Sequence, residues 1–576
     1  AAAGLWVAHP LTTESVTYLI QRSEALAACG MLATLCLWNL GCRSEHRASL
    51  WLSLSLMTAF LAAASKPTAV VLPVLVILYD RLLLAASWTQ LLRRRGIAHL
   101  LVWLPTLWIL WDVSGTGLLT APETTAAPST ATAGLGAAGL TSWEYLRSQF
   151  GVLLHYLWLI LTGTSQSLDY GRLVTERVDI IIGSAFLVSM ILAGCLLSRR
   201  RWPGVALLGL SYFVLLVPTS SVIPLRDLLV EHRVYLPSAA VITLLVTSAL
   251  ALAAWGNKSP SSAVRRGVVA AICLCLMMAL GRTIARNADY HDELRLWTRA
   301  VAATPQSPRA YTFLAEILLR RNQAEEAIAI LEHAKALYEQ QTGKPAPTPI
   351  ERANAHSLLG SAYETAGRRA DAEAELRRAV ELSPAPVFLT NLGAVVQRAG
   401  DLDAAEGLYR QALAADGNTI NARVNLGRLL LQRGQAAAAV EILEPLRDSV
   451  PRTRPSLTTL AEAYQHAQRL DEADAVYRQL LQEQLADGNT FVAWGKLHRA
   501  RGEYQSAHQC FIEAARRSPR DPWPLALQAE MLARLGNAVA ADQLAAQVLQ
   551  QLPADSIIAQ QLQALRASLN QREARP

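Results

Sequence analysis

Apolar residues follow two different rhythms along the chain. Over roughly the first half they form long runs with few charges. Eight of these, at 25–41, 49–64, 69–86, 97–113, 179–198, 204–218, 236–256 and 268–281, read as membrane-crossing helices. Several are shorter than the ~20 residues a perpendicular crossing needs, so their limits are fixed only to within a few residues. So many runs with so little charge inside them predict a polytopic bundle rather than buried core helices of a soluble domain. One further run, GVLLHYLWLILTG at 151–163, is short and contains His155. Counting it would move Arg199–Arg201 to the other side of the membrane. The segment 143–163 is therefore expected to lie along the outer surface or to re-enter, with a ninth crossing as the weaker alternative.

From about residue 284 the period changes. The stretches LAEILLRRNQAEEAIAILEHA, LGSAYETAGRRADAEAELRRA and LGAVVQRAGDLDAAEGLYRQA share one frame with four later ones. Their small residues, Ala315, Gly360, Gly393, Gly427, Ala461, Gly495 and Ala529, are spaced by 45, 33, 34, 34, 34 and 34. A 34-residue period is the signature of tetratricopeptide helix pairs, about seven of them here. A second small residue marks the partner helix at Ala327, Ala372, Ala405, Ala439, Ala473 and Ala507. Four places on, a large one fills the seam: Leu331, Leu376, Tyr409, Leu443, Tyr477 and Phe511. Gly367, Gly400, Gly434 and Gly502 fall at the turn within a repeat, and Pro384, Pro451, Pro519 and Pro553 end second helices. The Pro-rich 338–351 lengthens the first spacing. DYHDELRLWTRAVAATP (289–305) reads as a lone second helix, with Trp297 as its packing anchor, following the last crossing almost directly. The predicted organisation is all-α: a transmembrane domain at 1–283 and a solenoid at 284–576.

Charge orients this arrangement. The connections 42–48, 87–96, 199–203 and 257–267 hold 11 Lys or Arg in 33 residues, whereas 9–24, 65–68, 114–178 and 219–235 hold 7 in 102. The basic set is expected to be cytoplasmic, which sends the other connections and the solenoid outward. Residues 1–283 carry a balance of +8 and residues 284–576 one of −1. The basic character of the chain thus follows the membrane rule, and no basic stripe suited to nucleic acid is present. Seven cysteines, at 29, 36, 42, 195, 273, 275 and 510, have no zinc-like spacing and read as small packing residues. No divalent metal or other cofactor is indicated. Solenoids of this type bind extended protein segments; Asn391 and Asn425 suit either a backbone-binding ladder or local capping.

Four outward stretches carry the candidate chemistry: HPLTTESVTYLIQRSE (9–24), SKPTAVVLPVLVILYD (65–80), SLDYG (167–171) and PTSSVIPLRDLLVEHRVYLPS (218–238). In this order, followed by tetratricopeptide repeats, they resemble the transmembrane and tetratricopeptide-repeat-containing O-mannosyltransferases and their bacterial relatives. The matching residues include His9, Glu14, Arg22, Glu24, Ser65, Lys66, Asp169, Tyr170, Glu231, Arg233 and Tyr235. The resemblance implies a GT-C-like bundle that transfers a sugar, often mannose, from a polyprenyl or dolichyl phosphate carrier to a Ser or Thr hydroxyl of a protein presented by the repeats. It also implies an integral membrane location, with the repeats in a bacterial periplasm or, in a eukaryote, the lumen of the endoplasmic reticulum.

The residue types agree with that chemistry. Arg22, Lys66 and Arg233 suit a phosphate at headgroup level, and Glu14, Glu24 and Glu231 are acids on the side where an acceptor hydroxyl needs a base. His9 and Tyr235 join this substrate-binding set through the resemblance. Asp169 suits either the donor pocket or a turn cap, and Asp80 with Arg81, at the inner end of its helix, suits a structural role. The family keeps its catalytic carboxylate in the first outer loop. AAAGLWVA reads as the end of a preceding helix, so that acid is expected upstream of residue 1. The rival reading is a non-catalytic membrane scaffold whose repeats dock cell-envelope assembly partners; a transporter is disfavoured because no helix centre carries a paired charge.

Overall fold

A computed structural model describes the chain except for residues 18–20, 116–138, 165, 172, 255–261, 449–451, 554 and 574–576. Tyr18 to Ile20 of the first outward stretch, much of the 114–178 connection, Lys258 and Pro451 therefore lie outside the described residues. The described residues contain helices and no β-strand. They form two compact units, Ala1–Ala366 and Gly367–Pro576.

The first unit opens with two short helices, α1 (Ala2–Val7) and α2 (Thr12–Thr17). Long apolar helices follow: α3 (Arg22–Arg43), α4 (Ala48–Ser65), the broken stretch Pro67–Leu84 containing α5 (Leu72–Tyr79), and α6 (Trp88–Gly115). Next come α7 (Ser142–Thr162), α8 (Val178–Ser198), α9 (Pro203–Leu216), α10 (Tyr235–Ala254) and α11 (Ser262–Tyr290). Among the described residues six segments are long and apolar enough to cross a membrane: α3, α4, Pro67–Leu84, α8, Glu231–Leu252 and Arg266–Tyr290. The other two expected crossings are also helical. The run 97–113 lies in α6, which starts earlier and so takes in Arg93–Arg95, and all but the last two residues of 204–218 lie in the 14-residue α9. On α8, Ile182, Phe186 and Leu197 face outward and are largely exposed, as a lipid-facing helix requires.

Small residues set the spacing within the bundle. A Cβ added to Gly30 of α3 would lie 2.9 Å from the Ala62 side chain of α4, and one on Gly41 would lie 2.9 Å from Leu52. The two backbones therefore approach closely, and the Thr34 and Thr58 hydroxyls hydrogen-bond across the seam at 2.9 Å. Gly209 packs against Cys195 in the same way. Pro67 and Pro73 deny the next segment a continuous helix, leaving a 3-10 turn (Pro67–Val71), α5, and a π turn (Asp80–Leu84). Asp80 is fully buried and paired with Arg95 at 2.7 Å and His99 at 2.9 Å.

Helix α7 buries one face, including Tyr145, Val152, Tyr156 and Leu159. Both of its ends meet the same layer of connectors. Tyr145 donates to the Thr219 carbonyl near its start, and the Ile160 carbonyl faces His9 Nε2 at 3.0 Å near its end.

The first unit also contains α12 (Glu293–Ala303), α13 (Pro308–Arg320), α14 (Ala324–Gln340) and α15 (Pro349–Thr365). Trp297 of α12 stacks on Phe313 of α13 with ring centroids 4.5 Å apart. The boundary between units falls inside a repeat, because these first solenoid helices are tied to the connector layer. Lys344 pairs with Glu144 at 2.9 Å and its carbonyl accepts from Val174 N, while Arg226 pairs with Glu351.

The second unit is a stack of helix pairs from Arg369 to Glu573. A Cβ on Gly393 would lie 2.7 Å from the Tyr409 ring, one on Gly427 2.6 Å from Leu443, and one on Gly495 2.5 Å from Phe511. These are the small-to-large partners that the 34-residue frame predicts. Turns within repeats need a left-handed residue, supplied by Gly400 (φ +99°) and Gly434 (φ +75°) and by Gln468 (φ +60°) where glycine is absent. Pro445 converts the end of one second helix into a 3-10 turn, Glu444–Arg447, several residues before Pro451.

Candidate functional site

The connector layer holds three groups of charged side chains, each fixed by residues far apart in sequence. The first surrounds Glu231, at the start of a 3-10 turn (Glu231–Val234) that leads into α10. Its carboxylate is fully buried. Oε2 accepts from Arg286 Nη2 at 2.8 Å, and Oε1 accepts from Ser167 N at 2.8 Å and Tyr170 Oη at 2.7 Å. Burial and then the Glu231 charge push the Tyr170 phenol far above its ordinary value, so it stays a donor. One residue on, His232 Nδ1 lies 2.9 Å from Glu14 Oε1. Glu14 and Glu231 are thus brought together across more than two hundred residues.

A second group joins Lys66 to Glu24 at 2.5 Å, with Gln21 Oε1 accepting from Lys66 at 3.3 Å. Glu24 and Arg233 share the walls of a small pocket with Met31, Thr68 and Thr219. Arg233 Nη2 donates to the Asp227 carbonyl at 2.8 Å, and among the described residues no carboxylate pairs with it. Arg22 is exposed and donates to the Val16 carbonyl at 3.2 Å, outside this pocket.

The third group surrounds Asp169. Arg309 grips it with two bonds, Nε to Oδ2 at 2.9 Å and Nη2 to Oδ1 at 2.8 Å. Ser307, the N-cap of α13, donates to Oδ2 at 2.8 Å, and Gly171 N donates to Oδ1 at 3.0 Å. Burial alone would raise this carboxyl, but the Arg309 bonds and charge, with Gly171 and Ser307, outweigh it and hold the pKa below the ordinary carboxylate value. Every oxygen of Asp169 is taken by the solenoid or its own turn, so it locks the first repeats to the connector layer.

His9 and Tyr235 position backbone. Leu11 N donates to His9 Nδ1 at 3.3 Å, so Nε2 carries the proton given to the Ile160 carbonyl. Burial, followed by the nearby Arg282 charge, lowers the imidazole pKa despite the bond to Ile160. The Tyr235 ring packs on Trp6 at 5.1 Å, and its carbonyl accepts the Trp6 indole N–H at 2.9 Å.

A cavity of about 260 Å³ lies beside the Glu231 group, lined by Gln166, Ser167, Arg282, Arg286, Asp289 and Arg299, of which Arg286 is paired with Glu231 and Arg299 with Asp289. Gln166 Nε2 and Arg286 Nε are buried there without hydrogen-bond partners among the described residues. Through Gly163 and Arg282 this cavity shares walls with an apolar groove of about 390 Å³ bordered by Leu161, Ile242, Val246, Ile272 and Met278. An arginine, Arg282, shared by a polar cavity and a greasy slot suits an amphiphile whose polar end is an anion. Arg282 and Arg286 escaped the sequence reading, although RTIAR places them four apart, on one face of a helix, at the end of an apolar run. Arg309 and His232 left no comparable trace. Among the described residues no group of three or more His, Cys, Asp or Glu gathers as a metal site.

Known proteins give two kinds of likeness. Tetratricopeptide-repeat family profiles match residues 278–342, 357–420, 397–457 and 455–479. The mouse protein O-mannosyl-transferase TMTC3 is 21% identical over 482 residues, covering 76% of this chain and 50% of the relative. The Drosophila melanogaster protein O-mannosyl-transferase Tmtc3 is 22% identical over 316 residues, covering 50% of this chain and 32% of the relative. The chain therefore spans at most about half the length of these relatives. Among solved structures, Pseudomonas aeruginosa PilF is 21% identical, covers 38% of this chain and 98% of its own, and superposes with a TM-score of 0.33. The chain contains tetratricopeptide repeats and apolar helices suited to a membrane, and has a distant likeness to protein O-mannosyltransferases.

Proposed function

We propose that the chain is a membrane glycosyltransferase that moves a sugar, mannose by likeness to its relatives, from a polyprenyl or dolichyl phosphate carrier to Ser or Thr hydroxyls of a protein. The observation that carries this reading is Arg282, shared by the polar cavity and the apolar groove. The carrier phosphate meets Arg282, and the first isoprene units follow the groove. Arg233 and Glu24, the latter paired with Lys66, line a separate small pocket suited to sugar hydroxyls, and the repeats present the acceptor. The connectors and the solenoid share one non-cytosolic side, the periplasm of a bacterium or the lumen of the endoplasmic reticulum.

One observation favours the rival reading of a membrane-anchored scaffold. Glu14, Glu24 and Glu231 are each engaged by a basic partner, so none stands free as a base. Transfer of label from polyprenyl-phosphate mannose to a Ser/Thr-rich peptide by the purified protein decides between them. The transferase reading expects transfer that falls at least tenfold in Arg282→Ala together with weaker carrier binding. Carrier binding indistinguishable between the two proteins refutes the placement of the phosphate.

A further inference from the structure

We propose that the cleft between the connector at Tyr170, Gly171 and Leu173 and the first solenoid helices holds the acceptor protein, as an extended segment with uncharged side chains around the reacting Ser or Thr. The proposal deepens the transferase reading above and rests on it.

A cavity of about 520 Å³ opens in this cleft. Leu173 and Leu337 supply its apolar lining. With them stand Gln306, between α12 and α13, and Gln340 and Gln341, at the end of α14. Among the described residues no Lys, Arg, Asp or Glu lines it. The neighbouring charges are paired with one another: Arg309 with Asp169, Lys344 with Glu144 and Arg299 with Asp289. A charged side chain entering the cleft therefore meets nothing to offset its lost hydration.

A peptide group is better matched. Each glutamine amide both donates and accepts, which is what the N–H and C=O of an extended backbone require. Gln306 and Gln340 are exposed, and neither side chain hydrogen-bonds to a described residue, so both amides are available. The walls are already set. Leu173 rests on Gly343, where an added Cβ would lie 2.9 Å from its side chain, and Val174 N donates to the Lys344 carbonyl at 2.6 Å. Thr304, another lining residue, donates from Oγ1 to the Asp169 carbonyl at 2.7 Å. A bound segment loses its own freedom but has little in the site to order.

The cleft adjoins the polar cavity assigned to the carrier phosphate. Along the connector, Leu168 lines the cavity and Tyr170 the cleft. At the end of α12, Ala300 lines the cavity, and Thr304, whose N–H donates to the Ala300 carbonyl at 2.9 Å, lines the cleft. One helical turn is ~5.4 Å and two extended residues span ~7 Å. A segment seated in the cleft can therefore carry a hydroxyl to the cavity within about two residues. Later repeats hold the remainder of the acceptor, and the cleft selects which hydroxyl reacts.

The test uses the full chain in lipid nanodiscs with polyprenyl-phosphate mannose and two peptides. One has its Ser and Thr flanked by Ala, Val and Pro; the other has Lys at both flanks. Wild type should prefer the uncharged peptide by about tenfold in kcat/KM. Gln306→Glu combined with Gln340→Glu should raise the KM of the uncharged peptide about tenfold and leave carrier binding unchanged. The same double variant should use the lysine peptide at least as well, a reversal that mere damage to the fold does not produce. A photo-crosslinker beside the acceptor residue should mark residues 304–341. Equal use of both peptides by wild type, an unaltered preference in the double variant, or crosslinks confined to the second unit overturn the proposal and leave the transferase reading in place. So does protection of 304–341 by free mannose and not by excess peptide, which makes the cleft a sugar site. Wild-type protein that transfers no sugar to either peptide overturns both.

Discussion

Replacing Arg309 by Met removes the grip on Asp169 while keeping most of the side-chain volume. The wild-type pair is charge-assisted and bidentate, on a carboxylate that is 4% exposed. Leaving such a group without its cation costs about 3–5 kcal/mol when both partners are buried. The Arg309 side chain is one-third exposed (33%), and Ser307 and Gly171 continue to donate, so the expected loss is smaller, about 2–3 kcal/mol. The second bond of Arg309, to the 42% exposed Asp227, adds at most about 1 kcal/mol. At about 1.4 kcal/mol per decade, opening of the lock becomes roughly 100-fold more frequent. Hydrogen–deuterium exchange with peptide-level readout measures this directly, in 167–171 and in the first turns of α13. Asp169→Asn combined with Arg309→Met should lose less than the sum of the single changes, because the two residues act as one unit. The lock also has a pH signature. The Asp169 carboxyl is held below its unfolded value of ~3.9, so its contribution is complete above that pH and fades only as pH falls through the lowered folded value. Exchange should therefore be flat from pH 7 to 5 after correction for intrinsic rates. Exchange in both segments within threefold of wild type for Arg309→Met would refute the reasoning.

Three glycines of the second unit should separate by mechanism in thermal unfolding. Gly495→Ala, whose Cβ meets Phe511 at 2.5 Å, should lose about 1–3 kcal/mol from overpacking; Gly502→Ala, at φ +77° with nothing nearby, should lose about 1 kcal/mol from backbone strain; and Gly407→Ala, helical and unobstructed, should gain about 0.5–1 kcal/mol. A reversed order counts against the packing described. Burial keeps His9 neutral below its unfolded value, so its stabilising contribution is complete above pH ~6.5 and falls as pH drops below it. The melting temperature of His9→Gln should accordingly vary less between pH 7 and 5 than that of wild type, and parallel profiles argue otherwise. A chain ended after Ala366 should keep carrier binding and lose peptide transfer, whereas one ended after Tyr290 lacks Ser307 and Arg309 and should show rapid exchange at 167–171; equal exchange in the two truncations removes the lock from consideration.

What could be read in advance was whatever repeats or runs. Gly393, Gly427 and Gly495 declared their helix contacts through a fixed spacing, and the apolar runs of α3, α4 and α8 declared themselves by length. Partnerships without a period stayed hidden. Asp169 could be singled out by resemblance, but Arg309 sits 140 residues away among thirty-three other-half cations with nothing to distinguish it. Glu14 and Glu231 were visible as acids. Their engagement by His232 and Arg286 brings together short helices and a helix end far apart in sequence, which no local periodicity relates. The Pro67–Leu84 stretch is similar: two prolines announce a disturbance without saying that a π turn ends it.

The groove bordered by Ile242, Ile272 and Met278 lies between helices apolar enough to face hydrocarbon. An amphiphile that reaches Arg282 along it travels sideways, in two dimensions, without leaving the bilayer. Its capture then obeys surface density: the half-saturating quantity is a mole fraction among lipids, and adding inert phospholipid at constant molar amount of carrier weakens occupancy as dilution would weaken it in solution.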